Sequence, residues 1–115
     1  MLVERHELEK ILANVVAVGD RVFTAGAIAD DYSLDVAGQT RQALADIDKY
    51  LAICKSDKSK ILSAVIWLTD IRLRDDMNKA WTAWVDPNNL AARACIEAKM
   101  ADPRCLVEIA IVAAR

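Results

Sequence analysis

Two charged residues interrupt apolar runs in the C-terminal third of the chain. Arg93 lies within Ala91-Ala92-Arg93-Ala94-Cys95-Ile96, and Glu108 within Leu106-Val107-Glu108-Ile109-Ala110-Ile111. An ionised side chain in such surroundings is costly unless it is paired or opens onto water. Arg93 offers a planar fork of donors that matches a carboxylate. Glu108 carries a carboxylate that can orient or deprotonate a water molecule. A structural account is equally available: the two form a salt bridge, or each points to solvent at a sheet edge. Spacing alone leaves both open.

Other residues have plainer readings. Cys95 lies two positions beyond Arg93, hence on the same strand face, where it packs as most free cysteines do or lends its backbone to a pocket. Gly26 closes a β-branched run, where the missing Cβ permits a sharp exit or a close backbone approach to something bound, and its bland reading is a turn. Met77, Trp81 and Trp84 step along one helical face and read as core rather than ligand cage. Asp30 and Asp31 read as a solvated loop pair, and Asp75 and Asp76 as the acidic first turn of a helix. Cys54, Cys95 and Cys105 have no CxxC spacing and His6 is the single histidine, so no metal site is expected. P-loop, GxGxxG and GxSxG motifs are absent.

The elements that must carry these residues follow from periodicity. Residues 12–18, the Gly19-Asp20 turn and residues 21–25 read as a β-hairpin. Residues 27–34 lack periodicity and read as a loop. From Asp35, Val36, Thr40, Ala43, Leu44, Ile47, Leu51 and Cys54 recur at three- and four-residue steps, predicting a helix over about 35–55, capped by Asp35 or Ser33. Residues 61–69 are nearly unbroken in hydrophobicity and read as a strand buried on both faces. A second helix over about 72–85 stops near Pro87, and extended runs 91–98 and 106–114 flank a turn at Asp102-Pro103. The expected fold class is α+β, in the order β-β-α-β-α-β-β, with both helices on one face of a single sheet.

The second sheet face then needs a cover, because the last strand is apolar on both sides apart from Glu108. The expectation is a closed oligomer, dimer or trimer, that hides this face. At 115 residues the chain is expected to be one domain, residues 1–115, with no linker. Hydrophobic residues form 55% and charged residues 28%, a globular mixture. The net charge of -2 and the lack of a basic run argue against nucleic acid as a partner. Residues 1–10 lack the apolar core of a signal peptide, and no run approaches the roughly 20 residues that span a bilayer, so the expected location is cytoplasmic, away from membranes.

The stretch Ala91-Ala92-Arg93-Ala94-Cys95-Ile96-Glu97-Ala98-Lys99, followed by Leu106-Val107-Glu108-Ile109, resembles the C-terminal signature of the Rid (reactive intermediate deaminase, YjgF-like) family, including the arginine-to-glutamate separation. Arg21-Val22-Phe23-Thr24-Ala25-Gly26 resembles that family's second strand, and the segment from Asp35 to Leu44 its first helix. Met77-Asn78-Lys79-Ala80-Trp81 is similar to the shorter YjgF-like proteins. The likeness runs from about residue 12 to the end. It implies a chorismate-mutase-like fold assembled as a homotrimeric barrel, with clefts between neighbouring subunits. It further implies hydrolytic deamination of 2-imino or enamine acids to 2-oxo acids and ammonia, without metal or organic cofactor. Arg93 would hold the substrate carboxylate, Glu108 would position the attacking water, and backbone groups near Cys95 and Gly26 would complete the pocket. Two departures stand out: Leu12 falls where the family carries a cleft tyrosine, and Ala110 where many members carry a second glutamate.

Three other functions differ in what they ask of these residues. A non-catalytic module that binds a small 2-oxo carboxylate would use Arg93 without Glu108. A chorismate-mutase-type reaction wants several cations around a dicarboxylate, and the chain offers one convincing arginine. A nuclease or translation-inhibitor role lacks a basic patch.

Overall fold

The computed structural model describes residues 1–115. Its elements, in chain order, are β1 (Val3–Leu8), β2 (Ala13–Val18), β3 (Arg21–Thr24), α1 (Val36–Ile53), β4 (Ile61–Leu68), α2 (Arg74–Trp84), β5 (Ala92–Glu97) and β6 (Val107–Ala114). Short 3-10 turns, Lys58–Lys60 and Ile71–Leu73, lead into β4 and α2. The six strands form one sheet in the order β1-β2-β3-β6-β4-β5. Pairing is antiparallel throughout except between β4 and β5, which run parallel across the α2 crossover. The α+β class is therefore as expected, with β6 at the centre of the sheet and β1 and β5 at its edges.

One strand was not anticipated. β1 reads Val3-Glu4-Arg5-His6-Glu7-Leu8 and pairs with β2 from Val3↔Val18 to Leu8↔Ala13. Its positions alternate in direction but not in hydrophobicity, since both inward residues, Glu4 and His6, are polar. Charge on an edge strand blunts unwanted pairing, and it also erases the period-two signal. Glu4 does have a partner: Arg115 donates to its carboxylate at 2.5 Å, tying β1 to the end of β6. That pair holds the Glu4 carboxyl below its usual range.

Alternation in β6 sets the core. Val107, Ile109, Ile111 and Ala113 are buried under the helices, together with Ile66 and Leu68 of β4. α1 returns Ala43, Leu44, Ile47 and Leu51, and α2 returns Met77, Ala80 and Trp81. Each fully buried aliphatic side chain contributes about 1.5–3 kcal/mol of gross transfer energy. Trp84 Nε1 donates to Asp48 at 2.9 Å, fixing the second helix against the first. Asp35 caps α1 by accepting from the Gly38 N–H at 2.8 Å, whereas Ser33 belongs to a turn closed on Asp31.

The opposite face has no cover within the chain. Val16, Ser63, Val65, Trp67, Ala110 and Val112 lie on it half-buried, and Phe23 is 41% exposed. The expectation that β4 is enclosed on both sides is met on the helix side only. No helix of the chain is long and apolar enough to cross a membrane.

Candidate functional site

Glu108 stands on the open face of the central strand, opposite Trp67 of β4. The chain segment leaving β3 crosses directly beside it, held by reciprocal backbone bonds between Ala27 and Ile109 of 2.7 and 3.0 Å. This brings Gly26 against the glutamate. A Cβ at position 26 would sit 2.6 Å from Glu108 Cδ and 2.8 Å from Cγ, closer than real Cβ contacts come. The missing Cβ leaves room for a close approach, and the group that approaches is the Glu108 side chain of the same chain.

Glu108 and Gly26 line a cavity of about 570 Å³, with Leu12, Asn14, Ala25, Tyr32 and Tyr50 on its walls. Leu12, where the family tyrosine was expected to be replaced, does reach this cavity, and Tyr32 and Tyr50 supply aromatic walls from other elements. Neither tyrosine was singled out from sequence, because each sits in a stretch explained by a turn or a helix. Three further acids, Glu9, Asp30 and Asp46, give the cavity a negative lining. Burial, and then Asp30, push the Asp46 carboxyl above its ordinary value; burial followed by Asp46 pushes the Tyr50 hydroxyl up. Glu108 itself has no cation within 4.0 Å in the chain.

Arg93 lies elsewhere. It registers with Ala64 of β4, whose side chain is buried on the helix side, so Arg93 points to the face opposite Glu108. The salt bridge that the sequence left open as one alternative therefore does not form within the chain. Instead Arg93 Nη1 donates to Asn78 Oδ1 at 2.7 Å, and the guanidinium carbon lies 5.4 Å from the centre of the Trp81 ring. These groups line a second cavity of about 530 Å³ with Thr82, Val85, Pro87, Leu90 and Ala91. Cys95 follows on the same face as Arg93, registered with Ile66 and packed against the core. Gly26, Glu108 and Leu12 are brought together within one chain; Arg93 and Cys95 are not brought to them.

Trp81 combines two roles. It is 8% exposed and part of the core, as its helical spacing suggested, yet its ring also supports the arginine. Asn78 was legible only as part of a similar segment, although an asparagine inside a helix is a poor helix former and invites the question of what it binds. Gln39, fully buried, was also missed as a positioning group. Its amide nitrogen lies within hydrogen-bond distance of the Tyr32, Leu34 and Arg104 carbonyls, and its oxygen accepts from the Leu106 N–H at 2.9 Å. It thereby sets the entry of β6, two residues before Glu108. No group of three or more metal-ligating side chains converges anywhere.

A single six-stranded sheet with two helices on one face defines the class of fold, and comparison with known proteins agrees with that class. The endoribonuclease L-PSP family model matches residues 6–115. A RutC family protein of Haemophilus ducreyi is 41% identical over 113 residues, covering 98% of this chain and 97% of that one. The Escherichia coli RutC family protein YoaB is 36% identical and covers 99% of each. Among solved structures, NMB1025 of Neisseria meningitidis, a member of the YjgF protein family, superposes with a TM-score of 0.97 at 36% identity, over all of this chain and 96% of that one. The chain belongs to the endoribonuclease L-PSP family, the YjgF/Rid group, as one of its short members.

Proposed function

We propose that the protein is a cofactor-free deaminase that hydrolyses reactive 2-imino and enamine acids to 2-oxo acids and ammonia, at clefts formed between subunits of a homotrimer. The observation that carries this reading is the disposition of Arg93 and Glu108. Each is charged, each lines its own cavity, and neither has an oppositely charged partner. They occupy opposite faces of one sheet, so a single substrate meets both only when one subunit supplies the arginine and its neighbour the glutamate. The uncovered apolar face around Phe23, Val65 and Val112 supports such an assembly, because a face of that kind is normally buried in an interface.

The chemistry asked of such a cleft is modest. Arg93 binds the substrate carboxylate through its free N–H edge. Glu108 takes a proton from a water as that water attacks the imine carbon, forming a tetrahedral carbinolamine. Glu108 hands that proton to the nitrogen to complete the carbinolamine, then takes the hydroxyl proton and passes it to the same nitrogen; the C–N bond breaks as the C=O bond forms, and ammonia leaves. One water is consumed and no oxidant or reductant is needed. Holding an already electrophilic imine beside an aimed water supplies proximity and general-base catalysis together. An RNA-cleaving role is disfavoured, because the acids around Glu108 would repel a phosphodiester. A module that only binds 2-oxo acids remains the second reading, since Arg93 and its clamp serve it equally well.

The test is to generate 2-iminobutanoate or 2-iminopropanoate in situ with an amino-acid oxidase and follow its decay. Wild-type protein is expected to accelerate decay, and Arg93→Ala to lose about a hundredfold in kcat/KM. Decay no faster than buffer across several imines, with 2-oxobutanoate still bound, would select the binding module.

A further inference from the structure

We infer that Asn78 is a positioning residue that aims the Arg93 guanidinium while leaving its charge free for an anionic ligand. The inference rests on the reading of Arg93 as a carboxylate anchor and adds how that anchor is built. Two contacts hold the guanidinium: a hydrogen bond from Nη1 to Asn78 Oδ1 at 2.7 Å, and a cation–π contact with the Trp81 ring at 5.4 Å. An arginine side chain otherwise loses substantial rotamer entropy when it binds, and a clamp that orders it beforehand removes that cost from the binding step. The amide must present its oxygen here, because a guanidinium has donors only.

The identity of the clamp matters as much as its position. The chain has 17 acidic residues, and other arginines are held by them: Arg72 by Asp70, Arg104 by Asp102 and Arg115 by Glu4. Arg93 is held by a neutral acceptor instead, although Asp75 and Asp76 stand in the same helix. A carboxylate at that place would hold the guanidinium as well and would compete with the ligand for its charge. Asn78 takes one of the five N–H donors and leaves the others, with the full positive charge, on a side chain that lines the cavity.

The experiment compares wild type, Asn78→Ala and Asn78→Asp by calorimetric titration with 2-oxobutanoate, by thermal melting, and by kcat and KM on 2-iminobutanoate. Alanine is a better helix former, so folding is expected to survive. Asn78→Ala is expected to raise the Kd of 2-oxobutanoate and the KM about tenfold, the size of one hydrogen bond to a charged group, with kcat nearly unchanged. Asn78→Asp is expected to melt at or above the wild-type temperature and still bind 2-oxobutanoate at least tenfold more weakly. A purely structural contact predicts the reverse, with the isosteric Asp rescuing whatever Ala loses. Wild-type Kd in either variant would overturn the inference, as would a wild-type protein that does not bind 2-oxobutanoate. If binding follows the expected pattern but no imine is hydrolysed, the deaminase reading fails and the clamp stands.

Discussion

Gly26 leaves space that the Glu108 side chain fills, and the two residues make separable predictions. The nearest atoms a methyl group at position 26 meets are those of the Glu108 side chain from Cγ outward, so Gly26→Ala is expected to fold while swinging the Glu108 carboxylate out of its place. The expected result is a kcat reduced by about 10²-fold, with 2-oxobutanoate binding changed far less, read from paired kinetics and calorimetry. Glu108→Gln keeps the shape and removes the base, and a loss of similar size is expected; full activity in that variant would remove Glu108 from the mechanism. Both charged residues were legible in the sequence because each broke an apolar run. Their partners were not. No spacing rule ties Glu108 to Gly26, 82 positions away in the chain, and the clamp on Arg93 comes from a helix whose pattern was fully accounted for by packing.

At the scale of elements, the periodic segments were readable and the polar ones were not. α1, α2, β2, β3, β4 and β6 announced themselves through apolar spacing because each buries one face against a common core, while β5, an edge strand, was readable as an extended apolar run. β1 carries Glu4, Arg5, His6 and Glu7 on a sheet edge, where hydrophobicity no longer reports which way a residue points. Gln39 shows the same blindness inside a helix: a buried amide looks like a surface residue until its four backbone partners are seen. Replacing it with alanine leaves those groups unpaired beneath the entry to β6. Gln39→Ala is therefore expected to destabilise the chain by about 3 kcal/mol, lowering the melting temperature by about 10 °C. The Asp35→Ala cap variant is expected to cost only about 1 kcal/mol, because water can replace the lost acceptor at an exposed helix end. A melting series that ranked the two in the opposite order would show that Gln39 is not what fixes the strand entry.

At the scale of the whole molecule, the question is whether the two half-sites meet. Arg93 near one edge of the sheet and Glu108 on its open face suit a heterologous, ring-closing contact, in which the same two surfaces recur around an axis. If so, Val112→Asp, which places a charge in the uncovered apolar face, is expected to yield a folded, dissociated chain without activity, measurable by sedimentation and imine decay together. The sharper test needs no disruption. Arg93→Ala and Glu108→Gln homo-oligomers should each be nearly inactive, but co-refolding them at equal ratio creates sites with an intact arginine from one chain and an intact glutamate from the other. Random assembly makes about a quarter of the sites complete, so activity should return to about that fraction of wild type. A site contained within one chain cannot be restored by mixing, and a mixture as inactive as its parents, with subunit exchange verified by mass, would place the chemistry in the monomer.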